Sequence, residues 1–299
     1  MNNYNKKIGI LYILGAAFGF AMMGLFVRLA GELPTFEKVF SRNFVAAVVA
    51  FVMLIKGGYK WQNIGRKNWI FLLLRSSCGF VGVICNFYAI DHMNIADASI
   101  LNKLSPFFAI LLSFIILQEK PVMMDILTTV VAFIGAIFVV KPSADFAFLV
   151  AMIGVLGGFM AGVAYALVRK MTGGGVTGMF IVFFFSAFSS ICCIPLMAIN
   201  FITPSPTQFA MLIGSGFSAM IGQICITKAY TYAPAKEISV YDYTQVIYSA
   251  LLGFIFVGQI PDVLSLLGYI IIISMAVVKW VYNNKLSLIH ISEPTRRTP

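Results

Sequence analysis

Charge is what this sequence has least of, and its scarcity excludes most of what a chain of this length can be. Only 11% of the 299 residues are Asp, Glu, Lys or Arg, while 60% are apolar or aromatic and the mean hydropathy is +0.94. A water-soluble domain draws about a quarter of its residues from the charged types, so this chain lacks the polar surface that a globular core requires. Histidine is scarcer still, with two in the chain, and the cysteines number five. Cys78, Cys85, Cys192, Cys193 and Cys225 all fall inside long apolar runs, at no spacing used for zinc or haem, and read as small buried residues. Metal-spaced histidines, a Ser-His-Asp set and a phosphate-cradling glycine loop are all missing. The expectation is a protein that is not an enzyme, with no cofactor and no metal. Its connections are also too short to hold a nucleotide-binding domain, which argues against ATP-driven chemistry.

Long apolar runs are what the sequence does have. A helix crossing a bilayer takes roughly 20 consecutive apolar residues. Ten such runs cover about 8–30, 36–55, 69–90, 94–117, 123–140, 148–169, 177–199, 208–230, 236–257 and 262–282. Membrane β-barrels would show short alternating segments instead. The expected fold class is therefore an all-α integral membrane protein with ten transmembrane helices. The first run is long enough to span and shows no cleavage site, so it is expected to act as an uncleaved first helix.

The net charge of +10 has an ordinary explanation. Its cations cluster in short connections: Lys6-Lys7, Lys56 through Lys67, and Arg169-Lys170. Cationic loops stay on the cytoplasmic side. That places both termini in the cytoplasm, in a multi-pass protein of the cytoplasmic membrane, and removes the case for nucleic-acid binding. The partners to expect are membrane lipid and a small-molecule solute, for a monomer or homodimer. Leu286–Pro299 reads LSLIHISEPTRRTP and breaks the character of the chain. It looks like a translated adapter or cloning sequence, and it stands outside the fold argument.

The chain also repeats itself. Shifted by 140 positions, Asp97-Ala98-Ser99 lies over Glu237-Ile238-Ser239, Ala89 over Ala229, Glu119 over Gln259 and Pro121 over Pro261. Near the start the register is 141, where Phe18 meets Phe159 and Val27-Arg28 meets Val168-Arg169. Two five-helix units follow, at 1–141 and 142–285, with 286–299 as the tail. An odd number of helices per unit forces the second copy to enter the membrane from the opposite side. Inverted repeats of this kind favour a secondary transporter with its site near the midplane, between the halves.

The residues that carry a family resemblance are Tyr88-Ala89-Ile90, Ala96-Asp97-Ala98-Ser99, Leu104-Ser105-Pro106-Phe107-Phe108 and Gln118-Glu119-Lys120-Pro121. In the second half they are Ala229 through Pro234, Tyr243 through Tyr248, and Gly258-Gln259-Ile260-Pro261, with Arg42 and Arg75 at positions where such proteins often carry arginine. From about Ile8 to Tyr282 the chain resembles the drug/metabolite transporter superfamily, in its branch with two tandem EamA domains. The resemblance implies export or import of amino acids, nucleosides or other small organic metabolites. Gln259 departs from the usual Glu, which puts any ion-pair role there in doubt.

An ionisable side chain inside a span costs on the order of 2.5–3.5 kcal/mol by insertion scales, so each is a site candidate. Lys103 stands about nine residues into the fourth run, roughly 13 Å deep, beside Asn102 and Ser105-Pro106. Pro106 deprives a carbonyl near Asn102 of its helical partner. The 140-residue register sets Asn102-Lys103 over Asp242-Tyr243, so Lys103 and Asp242 are expected to share a central cavity as an ion pair that substrate or a proton breaks. A structural ion pair is the rival role for Lys103. Asn86, Gln223 and Tyr248 supply further polar groups that line the cavity or, equally, bond between helices. Tyr241 belongs to the same tyrosine cluster. Arg42 and Arg75 lie near helix ends, where snorkelling competes with substrate contact. Asp97 and Glu237 fit the positive ends of helix dipoles, Lys228 a snorkelling role, and His92 an outer loop.

The function that fits is a secondary transporter working by alternating access on an anionic or zwitterionic metabolite such as an amino acid or carboxylate. A nucleoside-like or drug-like solute exporter is the alternative, and a membrane enzyme stands behind both. Proton coupling is an expectation at Asp242, a carboxylate where charge is expensive, with Lys103 beside it acting in the opposite sense.

Overall fold

The computed structural model describes residues 5–58, 65–116, 122–141, 146–233 and 238–292. The described residues form α1 (Lys6–Leu29), α2 (Thr35–Lys56), α3 (Arg66–His92), α4 (Ile95–Asn102), α5 (Ser105–Ile116), α6 (Met123–Val140), α7 (Phe146–Gly173), α8 (Gly178–Ile199) and α9 (Pro206–Tyr232). A 3-10 turn (Ser239–Tyr243), α10 (Thr244–Val257) and α11 (Val263–Ser292) complete them, with no strand among the described residues. Among the described residues, ten segments are long and apolar enough to cross a membrane, the fourth combining α4 with α5 and the ninth combining the 3-10 turn with α10. Helix ends carry the expected chemistry. Asn5 accepts from the Ile8 N–H at the start of α1, and Ser205 with Gln208 forms a reciprocal capping box at the start of α9. Gly258, at φ 71°, ends α10 in the left-handed region that favours glycine.

Helices pair across the two halves. α1 lies along α9 and α3 along α7, while α2 pairs with α8 and α6 with α11. Exchanging the halves turns the first two pairings into each other and leaves the last two unchanged. The broken fourth span packs on α7, and its counterpart, the 3-10 turn with α10, packs on α1. The protein is therefore ten spans in two inverted five-helix repeats, and its core lies between the repeats. Ile100, Leu101, Leu104 and Phe107 pack there against Ala132 and Ala136 of α6, Val246 of α10 and Ile272 of α11. Large apolar side chains such as Leu11, Ile191 and Ile270 point outward, where a soluble protein would place charge.

The fourth and ninth spans differ from the continuous helices that their hydropathy predicts. α4 ends at Asn102 and α5 begins at Ser105, because Pro106 has no N–H to give a carbonyl one turn back. The N–H groups of Phe107 and Phe108 both turn to the Leu104 carbonyl, starting a new helix instead of bending the old one. Backbone left open at this depth must find protein partners. Glycines of α7 let the break come close: a Cβ on Gly158 would lie 2.6 Å from the Leu101 carbonyl oxygen, and one on Gly162 2.9 Å from that of Ser105.

The bundle has a near face, where α1 begins and α2 ends, and a far face, where α1 ends and α4 begins. His92, expected in an outer loop, forms with Asp91 the last turn of α3 at the far face. The His92 ring stacks on Tyr88, with centroids 4.1 Å apart. α11 continues to Ser292, into the segment set apart as a tail. Glu119, Pro121 and Glu237 lie outside the described residues.

Candidate functional site

A cavity of about 850 Å³ opens between the halves. It is lined at mid-bundle by Arg42, Arg75, Asn86, Asn102, Lys103, Gln223, Asp242 and Tyr243, and it reaches Asp125, Arg169, Lys279 and Trp280 at the near face. At the far face the halves are tied together. Gln208 donates to the Ala30 carbonyl at 3.1 Å, the Ile202 N–H to Glu37 at 2.7 Å, and the Ile95 N–H to the Gln259 side chain at 3.0 Å. Lys141 pairs with Asp262 beside them. Ile95 opens α4, so Gln259 caps that helix through its amide oxygen and needs no charge to do so. The far face is thus closed by hydrogen bonds between the repeats, and the cavity opens the other way.

At the centre of the cavity the break in the fourth span faces the 3-10 turn that leads the ninth. Lys103 Nζ donates to Asp242 Oδ2, joining the first repeat to the second. Asp242 Oδ1 has no hydrogen-bond partner. The Tyr243 hydroxyl donates to the Lys103 carbonyl at 3.2 Å, so the backbone opened by the break is held from the opposite repeat. One turn away the hydroxyls of Ser99 and Ser249 meet at 2.9 Å. Asp97 accepts from the Tyr269 hydroxyl at 2.6 Å and from Asn94 at 3.2 Å, which anchors the first turn of α4.

Arg42 and Arg75 face the cavity. Both stand over the Phe185 ring, Arg75 at 4.0 Å from its centroid and Arg42 at 5.7 Å. Arg42 Nη1 donates to the side-chain carbonyl of Asn43, and Asn43 in turn donates to the Val39 carbonyl at 3.0 Å. Three guanidinium nitrogens, Arg42 Nε, Arg75 Nε and Arg75 Nη1, are buried without a hydrogen-bond partner. Among the described residues no carboxylate pairs with either arginine.

Of the nominated residues, Tyr248 alone is not brought to the cavity. It meets Phe18 edge-on at 5.6 Å and packs in the core beside Leu252. Tyr241 likewise packs near Ile13 and Ala229. Lys228 lies 5.5 Å from the Tyr12 ring centroid.

Sequence reasoning missed several groups. Lys38 is fully buried and donates to Asp91 at 2.7 Å and to the Gly31 carbonyl at 2.6 Å. Its place three residues into α2 reads as interfacial, and only the return of α3 past it shows otherwise. Asp125 pairs with Lys279 at the near mouth of the cavity, again across the repeats. Tyr165, Phe185 and Gln245 line the cavity from runs whose composition reads as packing. No cluster of metal-ligating side chains occurs among the described residues.

Similarities to known proteins follow the same outline. The pseudopaline exporter CntI of Pseudomonas aeruginosa is 31% identical over 270 residues, which cover 89% of this chain and 94% of that protein. An S-adenosylmethionine uptake transporter of Rickettsia prowazekii is 25% identical over 265 residues, 87% of each chain. A crystal structure sharing 14% identity superposes with a TM-score of 0.65 over 92% of this chain and 98% of its own, a likeness of fold. The EamA-like transporter family matches residues 7–141 and 148–279. With the inverted repeats, the central cavity and this twofold match in view, the chain belongs to the EamA-like transporter family, and it is a membrane transporter of small metabolites.

Proposed function

We propose that the protein is a secondary transporter that carries an anionic or zwitterionic organic solute across the cytoplasmic membrane by alternating access. The observation that carries this reading is the Lys103–Asp242 pair, set where the fourth span breaks and in the 3-10 turn that leads the ninth, inside a cavity open at one face. A charged group from the solute competes for either partner, which couples binding to the contact between repeats. Net cationic loops at the near face support a cytoplasmic location for that face and for both termini. The conformation described is then the one open to the cytoplasm. Units at 1–141 and 142–285 are the two bodies that rock, and the far-face bonds between them break as the cavity turns to that side. Proton coupling is assigned to Asp242, whose Oδ1 has no hydrogen-bond partner.

The names of the relatives, one an exporter and one an uptake transporter, support carriage of small metabolites without deciding direction. A nucleoside-like solute is a second reading, favoured by the Rickettsia relative's name and by the Phe185, Tyr165 and Trp280 rings in the cavity. Counterflow in proteoliposomes tests the proposal. Preloaded solute should drive uptake of its labelled form, Lys103→Met should abolish it at normal expression, and a pH gradient should change its rate. Near-normal counterflow by Lys103→Met would overturn the assigned role.

A further inference from the structure

The two repeats share their architecture, so residues that lack a counterpart in the other repeat are where the site departs from the duplicated fold. Arg42 falls over Phe183 in the 141 register, and Arg75 over Ser215 in the 140 register. The arginines are therefore not part of what the duplicated fold requires. Each arrives from its own helix, α2 and α3, onto one shared ring, Phe185 of α8. Aromatic faces attract guanidinium groups but accept none of their in-plane N–H bonds. Three of those nitrogens stay buried and unpartnered, although Asn43 orients Arg42 from the side.

A buried cation without a partner is costly, and two side by side repel. Charge around the centre of the cavity does not cancel: Arg42, Arg75 and Lys103 stand against Asp242, leaving a surplus of two positive charges. Asp125 and Lys279 nearer the mouth neutralise each other and do not remove it. Planar guanidinium forks match carboxylates, which accept two parallel N–H bonds.

We propose that Arg42 and Arg75 form a carboxylate-binding subsite and that the cargo carries at least two carboxylates, the second competing with Asp242 for Lys103. The inference rests on the transporter reading and narrows its substrate class to di- and tricarboxylates, with or without an amine. Such a solute neutralises the surplus of positive charge in the cavity, and the unpartnered Asp242 Oδ1 takes an amine where one is present.

The test uses the purified full-length chain and three five-carbon probes: glutarate, pentanoate and 1,5-diaminopentane, with sulfate as an inorganic dianion. Thermal unfolding should shift upward with glutarate at a concentration at least ten-fold below that needed with pentanoate. Neither the diamine nor sulfate should match glutarate. Arg42→Gln and Arg75→Gln should each erase the ten-fold preference, while Arg42→Lys and Arg75→Lys, which keep the charge but lose the fork, should retain part of it. Equal responses to glutarate and pentanoate, a sulfate response as strong as glutarate's, or glutamine variants that keep the preference would each overturn the proposal. Vesicle exchange of a uniformly labelled amino-acid mixture separates the two readings. Exchange without a carboxylate preference sinks the subsite and leaves the proposed anionic or zwitterionic solute standing; no exchange of that mixture or of glutarate sinks that proposed solute class itself.

Discussion

The Tyr243 hydroxyl donates to the Lys103 carbonyl at 3.2 Å, and the two residues are 140 positions apart, which is the repeat period. Equivalent positions of two inverted copies meet only near the axis that relates them. This hydrogen bond therefore marks the centre of the molecule, where the fourth span breaks and the ninth passes from a 3-10 turn into α10. Tyr243→Phe leaves the Lys103 carbonyl without its partner, a loss of about 1–3 kcal/mol for a buried group. The thermal midpoint should fall while the fold persists; an unchanged midpoint would mean that water or another group holds this carbonyl.

Removing one member of the Lys103–Asp242 pair should cost more than removing both. A buried charge stripped of its partner destabilises by up to about 3–5 kcal/mol, whereas an uncharged pair of similar volume is often neutral. Lys103→Met should thus lower the unfolding midpoint, and the double variant Lys103→Met, Asp242→Asn should recover most of it. Counterflow should stay absent in both. Transport by the double variant would show that the pair serves stability alone.

Gln259 caps α4 from the opposite repeat, so its effect is separable from charge. Gln259→Ala should destabilise by about 0.5–2 kcal/mol, the usual range for a lost cap. Gln259→Glu should retain stability, because a carboxylate at a helix N-terminus accepts the same N–H and complements the dipole. Equal losses in the two variants, read by chemical denaturation in the same detergent, would rule out the capping role.

Acid should weaken the far face through Asp262. Lys141 and the Ser265 N–H hold its carboxyl below the usual carboxylate range. A depressed value means that the contribution is present above the unfolded value of about 3.9 and is lost as pH falls through the folded one. Asp262→Asn should therefore unfold at a lower temperature than the parent at pH 7, with the gap closing below about pH 4. Its size should be small and salt-sensitive, because the pair is exposed. A gap that persists in acid would assign Asp262 a role other than ion pairing.

Close packing at the break sets one more expectation. Gly158→Val has no room beside the Leu101 carbonyl, and overpacking of this kind costs typically about 1–3 kcal/mol. Reduced folded yield should follow, read by size-exclusion profile, while Gly175→Ala, at φ 85° with open space around it, should test backbone strain alone.

Much of the architecture is legible in the sequence. Run length against bilayer thickness decides ten spans, and an odd repeat decides that the halves are inverted, because the next helix must start from the opposite face. The 140-residue register likewise brings Lys103 to Asp242, since symmetry-related positions meet at the axis. Which way a side chain points was not legible. Helices that are apolar all round carry no polar face to betray their orientation, so Tyr248 and Tyr243, five residues apart, read alike. Only packing sends one to the core against Phe18 and the other to the Lys103 carbonyl.

The arginines show the same division. Hydropathy places Arg42 and Arg75 a short way inside their spans, where reaching back to the surface and turning inward cost about the same in sequence terms. The tertiary structure decides between them by setting Phe185 under both and leaving their nitrogens unpaired. Lys38 and Asp91 are found together only because α2 and α3 meet at the far face. The sequence by itself determined the number of spans, their pairing by repeat and the chemistry available at the centre, since length and periodicity are one-dimensional properties. Rotation of each helix about its axis, and with it the boundary between cavity, core and lipid, was decided by packing between the repeats, which exists only in three dimensions.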